Sequence, residues 1–363
     1  MASKPYPNVN VWVGPNQQYT TLSASLADNA QDLTGNGPFV IGIREAFEES
    51  GNNDLPSPEG WTTTPDDYLH IWVHPDVRHK GFWNDDAVDC YRRTAQGSQS
   101  NPMGQFDDVS TLTGFKIEGV AIRFNNLNPG GRTLLGIGVG SGINAGKFTV
   151  DSCLFVAHQP TASLIAIGTS GTSAPGKFFI NNCMFLGPFG STTNQASIFG
   201  SQAASGAPYA YIYNCTFIDN IDSVRVGDRH VFKNCLFVNS NPNNGNYSSS
   251  GSVDSQNNIY SIESAVGITG SNNVVLTGYP ISSTPSKTGS YYDGRLEVGV
   301  NDHLRVGANL RTDSENPIYF DILGTNRDDG KPNYVGAHHP QQKGFREFPV
   351  DETSMERKYR GRR

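Results

Sequence analysis

Charge is scarce in this sequence. Only 17% of its 363 residues are Asp, Glu, Lys or Arg, against about 25% in an average globular protein. Gly, Asn, Ser and Thr fill the difference. With 40 Gly and 21 Pro, the composition suits many tight corners between short strands. The formal net charge is −7, and no broad basic field is present, so nucleic acid is not an expected partner. The five Cys include no CxxC or Cys/His pair, so neither a metal framework nor a cofactor is expected. No apolar run reaches the roughly 18 residues of a membrane span, so no membrane partner is expected either. The opening MASKPYPNVNVWVG has no apolar h-region. The expectation is therefore synthesis in a cytoplasm without a secretion signal. Assembly into a virus particle released by lysis is one route out.

What the sequence does have is a repeat. It reads FKIEGVAIRF from Phe115, FTVDSCLFV from Phe148, FFINNCMFL from Phe178, AYIYNCTFI from Ala210 and HVFKNCLFV from His230. Val120, Cys153, Cys183, Cys215 and Cys235 form one column. Ile117, Val150, Ile180, Ile212 and Phe232 stand three places earlier, and Ile122, Phe155, Phe185, Phe217 and Phe237 two places later. Residues on one face of a strand alternate with period two. The three-place step breaks that parity, and a straight strand would turn half of its apolar set outward. The step is harmless only if the chain bends in between. The intervening pairs are Glu118-Gly119, Asp151-Ser152, Asn181-Asn182, Tyr213-Asn214 and Lys233-Asn234. Gly and Asn most readily take cornered, left-handed backbone. The unit is therefore strand, corner, strand, with both strands facing one interior.

The repeats fall 33, 30, 32 and 20 residues apart, with inserts such as Gly168–Gly176 and Asn239–Ser252. A third short strand recurs at Thr133, Ser163, Ala196 and Ser223. Fainter coils are expected at Asn257-Asn258-Ile259 and Asn272-Asn273-Val274. Three strands per coil define a parallel β-helix. A β-sandwich would give no reason for the same Asn-Cys-x-Phe frame at coil-length intervals. The fold class expected is all-β: a single right-handed parallel β-helix with an N-terminal helical cap and an irregular C-terminal cap and tail. Its expected parts are an arm and capping helix over 1–37, the solenoid over 38–293, a C-terminal capping segment over 294–345 and a polar basic tail over 346–363. Gln18–Leu33 reads as the capping helix, with Leu22, Leu26 and Ala30 on one stripe. The first strands are expected at Pro38–Phe47 and Tyr68–Pro75.

Two further stretches carry a resemblance. From Gly60 to Arg92 the order GWTTTPDDYLHIWVHP, RHKGFW, Tyr-Arg resembles a family of right-handed β-helix repeat proteins. The closing DILGTNRDDGKPNYVGAHHP is similar to the terminal Asp-x-x-Gly-x-x-Arg … Gly-Ala segment of many of them. With the coils, the resemblance spans most of Tyr19–Pro340. It implies the fold. For function it implies a choice between polysaccharide lyases or hydrolases and virion proteins such as tail spikes, fibres and head decorations, because fold alone does not fix function.

Candidate chemistry is sparse. The densest charged stretch is Asp219–Asn234. It offers Asp219, Asp222, Asp228 and His230 as catalytic candidates, and Arg225, Arg229 and Lys233 as ligand-binding candidates, with Tyr247 nearby to stack on a sugar. The alternative is a solvated coil face with paired charges. His70, Trp72 and His74 share one strand face. With His79 they make a weak metal motif, or else they stack on a cap or a neighbouring subunit; His338-His339 is similarly weak. Gly171–Lys177 lacks the Ser or Thr of a phosphate loop, and Gly136-Ile-Gly138-Val-Gly140 precedes no helix to receive a pyrophosphate. Arg357, Lys358, Arg360, Arg362 and Arg363 make the end of the tail basic, as a solvated end or an arm for an acidic partner. The reading that unites these points is a structural β-helix of a phage virion. It would be a homo-oligomer, taken as a trimer, contacting other virion proteins and surface polysaccharide, and the weight leans away from an enzyme. The alternatives are a polysaccharide lyase or glycoside hydrolase working in a groove along the coils, and a non-catalytic carbohydrate-binding adhesin.

Overall fold

A computed structural model shows the parallel β-helix. It describes residues 5–50, 58–95, 111–124, 135–139, 146–157, 165–169, 177–187, 198–200, 210–220, 224–225, 230–238, 254–256, 258–260, 270–271, 274–275, 291–293, 307–321, 323, 327 and 336–337. In the third sheet below, only the backbone is described.

Three parallel sheets run along the solenoid. The first has ten strands, from Val11–Val13 through Phe39–Ile43, Leu69–Val73, Gly114–Glu118, Lys147–Asp151, Lys177–Asn181, Ala210–Tyr213 and His230–Lys233 to Asp254–Gln256 and Gly270–Ser271. The second has nine strands, from Glu48–Ser50 to Val274–Val275, and the third has four, from Leu135–Val139 to Val224–Arg225. The crossover rule for parallel strands makes the winding right-handed. One antiparallel pair, Phe82–Asn84 with Tyr291–Asp293, forms a separate two-stranded sheet. The sheet begins earlier than Pro38: Val11 pairs in register with Ile41.

The repeat explains the registers. Phe115, Phe148 and Phe178 stand opposite one another, as do Ile117, Val150 and Ile180. Phe155, Phe185 and Phe217 do so in the second sheet. Between the two sheets the chain turns through left-handed backbone at Gly119 (φ 82°), Ser152 (55°), Asn182 (53°), Asn214 (54°) and Asn234 (55°). That is the corner the parity slip demanded. The four repeat cysteines are fully buried and unbridged. Ring centroids run 4.9, 4.7 and 4.8 Å apart from Phe155 through Phe185 and Phe217 to Phe237, within 6° of parallel. Those distances are the hydrogen-bonded strand spacing itself, so one coil rise and one aromatic stack coincide. Burial of a Phe of this kind contributes roughly 1.5–3 kcal/mol.

The N-terminal helix is shorter than its apolar stripe suggested. It spans Leu22–Asp28, capped by the Thr21 hydroxyl, which accepts from Ala24 N. Leu22 and Leu26 are fully buried, and Trp61 Nε1 donates to Leu26 O at 3.0 Å, which fixes the helix on the first coils. Ala30 is exposed. The Asn29 amide takes the Ser25 carbonyl at 2.8 Å, a local side-chain bond that competes with continuation of the helix.

The outer face of the second sheet is also apolar. Leu154, Val156, Met184, Leu186, Ile218 and Leu236 are buried there with Trp83, Cys90 and Ala337. Arg92 and Arg123 flank the Trp83 ring at 5.0 and 5.5 Å.

Candidate functional site

Residues of the first sheet that point away from the interior form two outward columns. One runs His70, Lys116, Thr149, Phe179, Tyr211, Val231, and the other Trp72, Glu118, Asp151, Asn181, Tyr213, Lys233. The later members of both are covered by the C-terminal stretch. Its described part, 307–321, lies along the flank of the solenoid. Leu310 and Ile318 pack on Phe179, Tyr211 and Tyr213. Lys233 Nζ reaches Asp313 Oδ2 at 2.7 Å and Lys177 Nζ reaches Glu315 Oε2 at 2.6 Å. Asn181 and Asn316 exchange amide bonds of 3.2 and 2.6 Å. Asn234 bonds both the carbonyl and the N–H of Ala308 at 2.8 Å.

A second anchor explains the closing segment. Arg327 is buried, and its Nη2 donates to Gly336 O and Ala337 O at 2.9 Å and to Asn182 Oδ1 at 3.3 Å. Gly336 N donates to Asn234 O at 2.7 Å, and Ala337 N donates to Thr216 Oγ1 at 2.9 Å. Gly336 has φ 90°, and a Cβ there would stand 2.6 Å from Thr216 Oγ1. Burial pulls the Arg327 guanidinium down to about 10, with Asp321 opposing, so it stays charged at neutral pH. The Arg and Gly-Ala of the sequence segment thus form a clamp across the corner between the two sheets.

Where this strap ends against the earlier coils, it leaves a groove. The cavity is about 430 Å³, within the usual range of ligand pockets, about 300–1,000 Å³. Lys116, Lys147, Thr149, Asp151 and Asn181 line its floor; Pro65, Tyr68 and Pro5 flank one side, and Glu315, Asn316, Tyr319 and Phe320 of the strap the other. Most of its charges are already engaged. Lys116 Nζ lies 2.8 Å from Glu118 Oε2. Burial lowers the Lys116 pKa, but Glu118 and Asp151 outweigh it and hold the amine above the ordinary lysine range. Asp151 accepts from Asn182 Nδ2 at 3.1 Å and from the Ser152 hydroxyl at 2.9 Å. Glu315 holds the Lys177 amine above its ordinary value, against slight burial. Lys147 differs: its ammonium stands 5.8 Å from the centroid of the Phe179 ring, and among the described residues no carboxylate pairs with it.

Behind the floor lies a buried polar cluster. Glu118 takes Arg78 Nη2 at 3.0 Å and stands 3.5 Å from His70 Nε2. His79 Nε2 meets Ser152 O at 2.8 Å. Burial pushes the His79 pKa down to about 3, opposed by the Ser152 carbonyl and aided by Arg78. It is therefore neutral, with Nε2 donating and Nδ1 accepting from Gly81 N. The histidine row of Leu69–Val73 and its continuation stack on aromatics: the His74 ring has Tyr6 at 5.1 Å and Trp72 at 5.4 Å. Among the described residues no group of three or more His, Cys, Asp or Glu is placed to hold a metal ion.

The charged stretch singled out in the sequence is only partly described. Asp219 sits in a second left-handed corner, at φ 57°, one coil on from Gly187, which takes φ 110° at the equivalent position. Lys233 is the strap's anchor. It also lies 5.2 Å from the Tyr213 ring centroid, so its charge is engaged within the chain. Arg225 and His230 lie on strands opposite Phe199 and Ala210, and their side chains are outside the description. Asp222, Asp228, Arg229, Tyr247, Arg357, Lys358, Arg360, Arg362, Arg363 and His338-His339 lie outside the described residues. The groove residues went unnoticed in the sequence. The signal was present: Phe179, Tyr211 and Tyr213 are aromatic at outward positions, which marks a covered face.

Compared with known proteins, the chain matches no family model, no curated protein and no solved structure.

Proposed function

We propose that this chain is a structural β-solenoid of a phage virion, a head decoration or a component of a tail spike or fibre. In that role it works as a homo-oligomer among other virion proteins, and its flank contacts surface polysaccharide. The observation that carries the reading is the use of side chains. The repeat thiols and the aromatics of the described coils go into packing, and the charged groups of the first sheet's outer face go mostly into ion pairs within the coils or between coils and strap. Such an arrangement makes a stiff rod with little preassembled chemistry, as a particle component requires. The test is electron microscopy with mass spectrometry of purified particles from the source of the sequence. The chain is expected as a stoichiometric component, and its absence from the particle overturns the reading.

A second reading, a glycoside hydrolase, draws on Asp151 and Glu315, two carboxylates that line one cavity. Hydrolysis needs a pair about 5–9.5 Å apart, one of them free to move a proton. Release of reducing ends from a polysaccharide panel, lost in Asp151→Asn, would favour it over the first.

A further inference from the structure

The geometry points to the groove between the strap and the fourth to sixth coils as a binding site for an acidic oligosaccharide, with Lys147 as the residue that selects the acid. This deepens the glycan contact of the proposed function and rests on it. Three observations combine. The first is the shape: a cavity of about 430 Å³ along the rod, floored by strands and walled by two separate chain segments. The second is the lining. Tyr68 is half-buried and Tyr319 is 47% exposed; Arg311 lies over the Tyr319 ring at 5.6 Å, which leaves Tyr68 and the opposite face of Tyr319 to stack on the apolar face of a sugar ring. Asn181 and Asn316 spend one N–H each on their mutual pair, and each amide retains a second N–H for a hydroxyl oxygen. The third is charge. Lys116 and Lys177 are matched by Glu118 and Glu315. Lys147 is exposed at the head of its strand, held above the Phe179 ring, with no carboxylate partner among the described residues. A neutral sugar would leave this ammonium unused, whereas a carboxylate or sulfate on a sugar ring satisfies it while the ring stacks on Tyr68 or Tyr319.

The test is calorimetric titration of the full chain with two acidic hexasaccharides, hexagalacturonate and a hyaluronan hexasaccharide, each beside its carboxyl-reduced form. The expected result is that an acidic form binds and its reduced form binds about tenfold more weakly or less, the size of one charge-assisted hydrogen bond. Binding weakens further when salt rises from about 0.05 to about 0.5 M. Lys147→Met keeps the aliphatic stem over Phe179 and removes only the charge. It should bring the acidic ligand down to the affinity of the reduced one, while Lys80→Met, exposed and outside the groove, leaves binding unchanged. Equal binding of acidic and reduced forms, no binding of either acid, or unaltered binding by Lys147→Met overturns the inference. Particle incorporation of Lys147→Met is a separate readout. If the variant chain is in the particle and binding fails, the site is lost and the virion reading stands; if the chain is absent from particles, the virion reading fails whatever the groove binds.

Discussion

Inside the solenoid, coil after coil repeats one side chain: Phe155, Phe185, Phe217 and Phe237 in one file, Cys153, Cys183, Cys215 and Cys235 in another. On the outer face of the first sheet, by contrast, the side chain changes at nearly every step, from Lys116 to Thr149, Phe179, Tyr211 and Val231. The interior meets only its own neighbours one rise away, and a stack of like shapes satisfies every coil at once. The outer face meets different things along its length: a groove beside Lys116 and Thr149, then a strap over Phe179 and Tyr211. A repeat is legible because each coil sees the same surroundings, and specificity sits where the surroundings differ.

The largest expected effect tests the interior. Phe185→Ala opens a gap in the middle of a four-ring stack and should lower unfolding stability by about 3–5 kcal/mol, read by denaturant titration of the strand signal. A loss under about 1 kcal/mol would mean the stack is not closely packed. Next comes the clamp on the outer side. Arg327→Met leaves the carbonyls of Gly336 and Ala337 and the Asn182 amide oxygen without their donor, and should cost about 3 kcal/mol. It should also quicken proteolysis of the strap before the coils are cut. Uniform slowing or equal cutting of coils and strap would contradict the clamp.

The corner joins the two regions, and its effect is smaller. Asn214→Ala and Asn214→Gly both lose the bond from Asn234 Nδ2 at 3.2 Å. Only Ala must also hold left-handed backbone at φ 54°. The Ala variant should therefore be less stable than the Gly variant by about 1–2 kcal/mol, and equal stabilities would remove the backbone argument. The smallest effect is in the strap's ion pair. Burial raises the Asp313 pKa, but the Lys233 hydrogen bond and charge and two backbone N–H groups outweigh it and leave it below the usual carboxylate value. A depressed carboxylate contributes stability above its unfolded pKa of about 3.9 and loses it as pH falls through the folded value. Asp313→Asn should cost about 0.5–1 kcal/mol at pH 7, with the difference from wild type vanishing once pH has fallen through the lowered folded value. A difference that persists there would assign the loss to packing.

These contrasts also explain what the sequence made legible. The parity slip at Asn182, Asn214 and Asn234 encoded the corner, because two apolar pairs three places apart cannot share one straight strand. The Phe and Cys files followed from the same count. The helix was read too long, since Ala30 completes a stripe on paper while the Asn29 side chain bonds back to the preceding turn. The strap could not be placed, because Asp313, Glu315 and Asn316 meet partners 80 or more positions away, at Lys233, Lys177 and Asn181. Nothing periodic links them. The groove inherits that difficulty: half of its wall belongs to the strap, and Lys147 looks in sequence like any lysine at the head of a strand.

The central claim is that the cysteine and phenylalanine files line a closed interior while recognition lies outside. Thiol reactivity in native buffer tests it most directly. Burial pushes the Cys153, Cys183 and Cys215 thiols well above their ordinary range and the Cys90 thiol up to about 12, so neither access nor ionisation favours attack. With a small aromatic disulfide reagent and site assignment by mass spectrometry, all five cysteines should stay silent until the chain unfolds and then react together. Prompt labelling of Cys153, Cys183, Cys215 or Cys235 in the folded protein would contradict the account.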